Sequence, residues 1–438
     1  MLSKSISKVF PLSASVNSQG RLTIGGYDVA DLLSEYGSPL YVYDHLTLEQ
    51  MIRSFADSFS NLYPESRIVY ASKAFINLGL AKLLAGHGLG FDVVSGGELA
   101  VLRAAGVSPE GVYFHGNNKS SSELREAVAW GIGCIVVDGF RELELVNTVA
   151  GEMGRHQPIM IRVSPDVDPH THHHTTTGIL DSKFGIPIST GQAREAVKLA
   201  VAAEHLDLRG LHFHLGSPIF ELDPYIKAVS LVMEFSSQMR EEGMDLHEFS
   251  PGGGFAIAYT EEDAPPDPGE YAEAIVDTLK RSCDRYGMKY PALTVEPGRA
   301  IVGRAGVALY TVGSIKHVPG VRTYVAVDGG MGDNIRPALY GAKYTAVIAN
   351  RMMTEPEQRV TIVGKYCESG DILVEDATLP SVQEGDIVAI PASGAYAPSM
   401  ASTYNLNGRP AIVLVEEGRS RLLRRRETYE DLMLADSD

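Results

Sequence analysis

The chain has 438 residues, 44% of them hydrophobic and 21% charged, enough to bury a sizeable core and to form more than one domain. A formal net charge of −17 excludes nucleic acid and anionic membrane surfaces as expected partners. No apolar run approaches the roughly 18 residues that would span a membrane, no signal-peptide core is visible, and the widely spaced Cys134, Cys283 and Cys367 favour a reducing cytoplasm over a disulfide framework.

In chain order, Asn17–Gly20 reads as a turn and Arg21–Ile24 as a strand. Apolar β-prone runs then alternate with amphipathic stretches. Strands are predicted at Arg67–Ala71, Leu89–Val94, Gly111–His115, Cys134–Asp138, Pro158–Val163, Arg209–His214, His247–Ser250 and Ala292–Glu296. Between them, Leu78–Gly86 is predicted helical, and Ser120 with Glu123 forms a capping box before a helix ending at Trp130. Asp223 reads as an N-cap with Pro224 at the first helical position. Glu270–Arg285 is a long amphipathic stretch. Eightfold strand–helix alternation predicts an α/β chain with a (β/α)8 TIM barrel over residues 42–305, although an open doubly wound sheet would alternate too. Beyond it, Thr323–Val327, Tyr344–Ala349, Arg359–Val363, Ile372–Val374, Asp386–Ile390 and Ala411–Val415 predict an all-β domain over 306–438, completed by residues 1–41.

Unusual residues cluster where the predicted strands end. They are Lys73; Ser95-Gly96-Gly97; His115 through Lys119; Asp138; Arg162; His214 through Ser217; Gly252-Gly253-Gly254; and Glu296 through Arg299. Active sites of barrels are built at that rim. Lys73, with its stem among apolar neighbours, can offer an amine for imine formation, or it can simply snorkel. The glycine triplet lets backbone N–H groups approach a phosphate, or makes a tight turn. Ser217 adds a hydroxyl, and His214 a flat ring that could stack on a planar cofactor. Glu296 could hold a pyridine nitrogen protonated, and Arg299 could grip a phosphate or carboxylate; the two could equally pair with each other. Cys367 could deliver a proton, but alone it reads as a buried apolar cysteine. The run at His170 and His172–His174 reads as a solvated loop, and no metal site is expected.

Ten stretches, in order, carry a resemblance: Tyr70-Ala-Ser-Lys73, Phe91 to Leu99, His115 to Lys119, Ser182 to Gly185, His212 to Ser217, Gly252 to Gly254, Glu296 to Arg299, Ile335 to Tyr340, Cys367 to Asp371 and Gly394 to Tyr396. Together the chain resembles the fold-type III decarboxylases that use pyridoxal 5'-phosphate (PLP), closely the branch acting on diaminopimelate. The resemblance implies an alanine racemase-like barrel with a β domain, and conversion of meso-2,6-diaminopimelate to L-lysine and CO2. It implies that Lys73 carries the cofactor as an imine, that His214 stacks on its ring and that Glu296 bonds its nitrogen. Asp92, Arg162, Ser217, Gly253, Gly254, Pro297, Gly298, Arg299 and Tyr396 would complete the cofactor site. Arg299, Arg336, Tyr340, Glu368 and Tyr396 would hold substrate, with Cys367 as proton donor. Cys367 and Glu368 would reach the site of a second copy, so a homodimer is implied. Rival readings are a decarboxylase of ornithine, arginine or carboxynorspermidine, an amino acid racemase, or a non-catalytic PLP carrier. Pro218, Lys365, Tyr366 and the Ala397-Pro398-Ser399 continuation depart from the family's usual residues, as does the histidine run.

Overall fold

The computed structural model describes residues 7–168, 177, 178 and 180–437. The run at His170 and His172–His174 lies outside them. The chain divides into two compact units, one of Ile52–Ala256 and Pro265–Gly298, the other of Met1–Met51, Ile257–Ala264 and Arg299–Asp438. These limits differ from the expected 42 and 305, and the short segment Ile257–Ala264 returns to the second unit.

The first unit is a closed parallel barrel. Its strands are β1 (Ser66–Ala71), β2 (Gly90–Val93), β3 (Val112–Phe114), β4 (Cys134–Val137), β5 (Gln157–Ser164), β6 (Leu206–His212), β7 (Glu248–Gly252) and β8 (Ala292–Val295). Each pairs in parallel with the next, and β8 returns to β1. Every predicted barrel strand is present, with ends shifted by a few residues. Strand β4, Cys-Ile-Val-Val, is buried throughout, the continuous apolar run expected of a strand covered on both faces. Val69, Tyr113, Cys134, Val136 and Met160 form one buried cluster within this unit.

Helices follow the strands and start as their sequences dictate. Asn77 caps Leu78–Gly86 by accepting from the Leu80 N–H, and Ser120 and Glu123 close the expected capping box before Ser121–Trp130. The helix after β6 runs Asp223–Met239 and begins one residue earlier than predicted. Asp223 is therefore inside the first turn, where its charge suits the helix dipole, and it does not cap by side chain. An unanticipated capping box, Asp267 with Glu270, opens Pro268–Tyr286.

In the second unit, Leu40–Asp44 is an internal strand, antiparallel to Gly306–Val318 and parallel to Ala411–Glu416. The sheet runs from Ile372–Leu379 through Gln358–Val363, Arg322–Val327, Gly306–Val318, Leu40–Asp44 and Ala411–Glu416 to Arg419–Arg424. Val9, Phe10, Leu22, Val42, Val307 and Val413 belong to its apolar core. Asn17 Oδ1 accepts from the Gln19 and Arg21 N–H groups, making the predicted turn between Ser15–Val16 and Leu22–Ile24. Tyr344–Ala349 yields only the short strand Val347–Ile348.

Candidate active site

At the C-terminal rim of the barrel, Lys73 lies in a single 3-10 turn, Ser72–Ala74, directly after β1. Its side chain is 41% exposed, and Nζ stands 3.9 Å from Asp92 Oδ2. Asp92, on β2, is almost wholly buried, and neither carboxylate oxygen has a hydrogen bond. Burial pushes its carboxyl up to about 7, with Lys73 pulling the other way. Two orphaned acceptors cost roughly 1–3 kcal/mol each, a cost kept where chemistry is done rather than where a core is packed.

Glu296 follows β8. Its Oε2 lies 3.0 Å from His212 Nε2, and its Oε1 accepts from Ser250 Oγ at 3.0 Å. His115 Nε2 stands 3.5 Å from Oε1. Burial pushes the Glu296 carboxyl up, but the two histidines, the His212 hydrogen bond and Lys73 hold it below the usual carboxylate range. Burial drives both imidazoles down, with Glu296 pulling the other way. His115, His212 and Glu296 bring three potential ligand atoms within 4.8 Å of one another, a grouping unforeseen in the sequence.

Strand β6 ends at His212, so His214 stands beyond the strand instead of closing it. The His214 ring is fixed because Nδ1 accepts from the Gly253 N–H at 3.2 Å. Burial, with Lys73 and Arg162 nearby, keeps it neutral. Gly252 is the last residue of β7 rather than the start of the loop. A Cβ on Gly253 would meet the Glu296 carbonyl at 2.2 Å, and one on Gly254 the Gly216 carbonyl at 2.4 Å, so only glycine fits this turn. Pro297 O accepts from the Ala71 N–H at 3.3 Å, and a Cβ on Gly298 would touch Ala71 at 2.9 Å. The chain after β8 therefore closes against the end of the lysine's strand. Ser217 is half-buried in the loop after β6. Arg162 Nε stands 3.7 Å from Asp138 Oδ1, and its guanidinium packs on the Phe184 ring at 4.6 Å. A half-exposed amine, an ionised buried carboxylate, a fixed neutral ring and a side-chain-free turn fit a phosphorylated pyridine aldehyde.

Two rim candidates are structural. Ser95 caps Gly96–Ala105 through the Glu98 N–H. Lys119 is buried and donates to Gly116 O, Val136 O and the Glu142 carboxylate.

The second unit holds another group. Arg299 and Arg336 are both buried. Arg299 donates to the Tyr259 hydroxyl and packs over the Tyr396 ring at 4.6 Å. Arg336 donates to the Tyr344 hydroxyl and packs over the Tyr259 ring at 4.7 Å. No carboxylate among the described residues pairs with Arg336. Burial pushes the Tyr259 phenol up, but the two guanidiniums hold it below its ordinary value. Tyr396 holds φ at +68°, a strained position for a non-glycine residue. Tyr340, half-buried, ends the short helix that begins at Arg336. Nothing in the local sequence pointed to Tyr259 or Tyr344; Tyr259 meets Arg299 across 40 residues and Tyr344 meets Arg336 across eight.

Cys367 corrects the reading of a buried thiol: it is exposed, its N–H bonded to Asn405 Oδ1 at 2.9 Å. Glu368 is exposed as well. The loop is held from below by buried Asp371, which accepts from the Met331 and Tyr366 N–H groups at 2.6 and 2.9 Å. Gly330 and Gly364 leave room for that carboxylate. The unusual Tyr366 stacks on Tyr404 with ring centroids 6.1 Å apart.

Comparison with known proteins matches residues 48–303 to the family described as pyridoxal-dependent decarboxylase, pyridoxal binding domain. The chain is 46% identical to the diaminopimelate decarboxylase of Bacillus subtilis, over 96% of each chain. It is 45% identical to that of Synechocystis sp., over 98% of this chain and 92% of the other. The crystal structure of the M. jannaschii diaminopimelate decarboxylase in co-complex with L-lysine superposes with a TM-score of 0.92 at 35% identity, covering 97% of this chain and 98% of that one. The chain belongs to the pyridoxal-dependent decarboxylases.

Proposed function

We infer that the protein decarboxylates meso-2,6-diaminopimelate to L-lysine and CO2, using PLP. The reading rests above all on Arg336, a buried guanidinium whose hydrogen-bond partner is a phenol and which no described carboxylate neutralises. Such a group is matched by a carboxylate that arrives with the substrate. The likeness to relatives of that activity supports the same reading, as does the L-lysine bound to the M. jannaschii enzyme.

When bound, PLP supplies a carbonyl that joins an amine and a ring that accepts the electron pair left as CO2 departs. Lys73 holds the cofactor between turnovers, and Asp92 beside it can exchange a proton near neutrality. Glu296, kept ionised by its donors, holds a proton on the ring nitrogen. His214, neutral and fixed, would stack on the ring. Ser217, Gly253, Gly254, Pro297, Gly298 and Arg162 shape the cofactor's surroundings. Arg299 and Tyr396 serve phosphate and substrate, Arg336 and Tyr340 hold the distal carboxylate, and Glu368 pairs with the distal amine. Cys367 delivers the proton that replaces CO2 on the α-carbon. Cys367 and Glu368, both exposed, act in the site of a second copy, so the working form is a homodimer. The protein acts in the cytoplasm; among the described residues no helix is long and apolar enough to cross a membrane. Incubation with PLP and meso-diaminopimelate is expected to release lysine, and Lys73→Ala to abolish it. No lysine from the PLP-loaded protein would overturn the substrate assignment.

A further inference from the structure

The barrel rim spends two buried polar residues on one carboxylate. Glu296 sits beside two neighbouring strands, at His212, the last residue of β6, and Ser250 within β7. A carboxylate can only accept, so His212 Nε2 carries the proton toward Oε2. That choice leaves His212 Nδ1 bare, and Nδ1 is buried with no hydrogen-bond partner. A side chain selected for packing would not leave a ring nitrogen orphaned in the barrel. The orphan makes sense if the tautomer is set by the bond to Glu296.

We propose that His212 and Ser250 are positioning residues that fix both oxygens of Glu296 and keep it a weak base. This rests on the assignment of Glu296 to the pyridine nitrogen. Two donated hydrogen bonds stabilise the carboxylate over the carboxylic acid. A proton shared between Glu296 and a ring nitrogen then stays on the nitrogen, the state in which the ring draws electrons most strongly. Removing either donor raises the basicity of Glu296 and moves the proton toward it. His115 and Lys73 also face this carboxylate, but His115 Nε2 lies at 3.5 Å with no hydrogen bond, so the two oxygens are fixed by His212 and Ser250. The claim concerns where a proton rests, not whether the cofactor binds.

The test is the nitrogen-15 resonance of ring-labelled PLP bound to the full-length protein. Wild type should show a protonated ring nitrogen. His212→Leu and Ser250→Ala should move the resonance toward the unprotonated position, with kcat down about tenfold each, the scale typical of outer-shell partners, and KM little changed. His212→Gln, which restores an N–H donor, should return both readings toward wild type. Glu296→Gln separates the two levels of the argument. If it leaves the resonance unchanged, the assignment of Glu296 to the ring nitrogen fails. If it shifts the resonance while folded Ser250→Ala and His212→Leu do not, the proposal is overturned and the assignment stands.

Discussion

Two of the lysine–carboxylate pairs in the barrel unit differ in almost every physical respect. Lys119 is 1% exposed at its side chain and pairs with Glu142. Its three N–H groups meet two carbonyls and that carboxylate, leaving none to donate elsewhere. Lys73 is 41% exposed, 3.9 Å from an Asp92 whose oxygens have no hydrogen bond. The first pair is closed and holds the chain after β3 to that after β4. The second is half-exposed, and its acid can exchange a proton near neutrality. Both lysines follow barrel strands, and exposure and the bonding of the partner carboxylate tell them apart.

The largest effect expected from breaking this contrast is at the half-exposed pair. Lys73→Ala should lower turnover by at least about 10⁴-fold, as loss of a covalent catalytic group does, with the urea midpoint little changed. At the closed pair the effect should invert. Lys119→Met should cost about 3–5 kcal/mol of stability, because it leaves Glu142 buried and half-satisfied. Urea unfolding reads this directly, and PLP binding by the folded fraction should persist. In the second unit, Arg336→Met should raise KM for a dicarboxylic substrate roughly 100-fold, the scale of about 2–3 kcal/mol for a buried charged pair. A substrate lacking the distal carboxylate should not feel the change.

The smallest effect is a pH slope. Burial pushes Asp92 up to about 7 in the folded protein, against an ordinary aspartate value of about 4. Between those values the folded state keeps a proton that the unfolded chain has released. Stability of the cofactor-free protein therefore falls as pH rises through that window. Asp92→Asn should remove roughly 1–3 kcal/mol of that fall, read as the difference in unfolding free energy between variant and wild type at the two ends.

Barrel strands were legible because burial on both faces writes them as short apolar runs with chemistry at one end. Gly306–Val318 was missed for the opposite reason. Its first half is buried, while Ser314–His317 is exposed and polar, so no single period marks it. Arg419–Arg424, Arg-Ser-Arg-Leu-Leu-Arg, is a basic edge strand that reads as a solvated run. In the site, Lys73, His214, Glu296 and Arg299 stood out because each ends or follows a strand. Tyr259 and Tyr344 did not, since their meaning lies in contacts with Arg299 and Arg336 that no local pattern encodes. His212 was hidden beside His214; a period-2 reading would have placed both on one face without revealing Glu296 between His212 and Ser250. Cys367 read as buried by composition alone, and only the loop held by Asp371 and Asn405 explains its exposure.

The central claim is that Lys73, and not its buried counterpart Lys119, carries the cofactor. Borohydride reduction of the PLP-loaded protein followed by peptide mass spectrometry tests it most directly. The account predicts the pyridoxyl mass on the peptide bearing Lys73, with Lys119 unmodified. A modification on any other lysine with Lys73 untouched would contradict it.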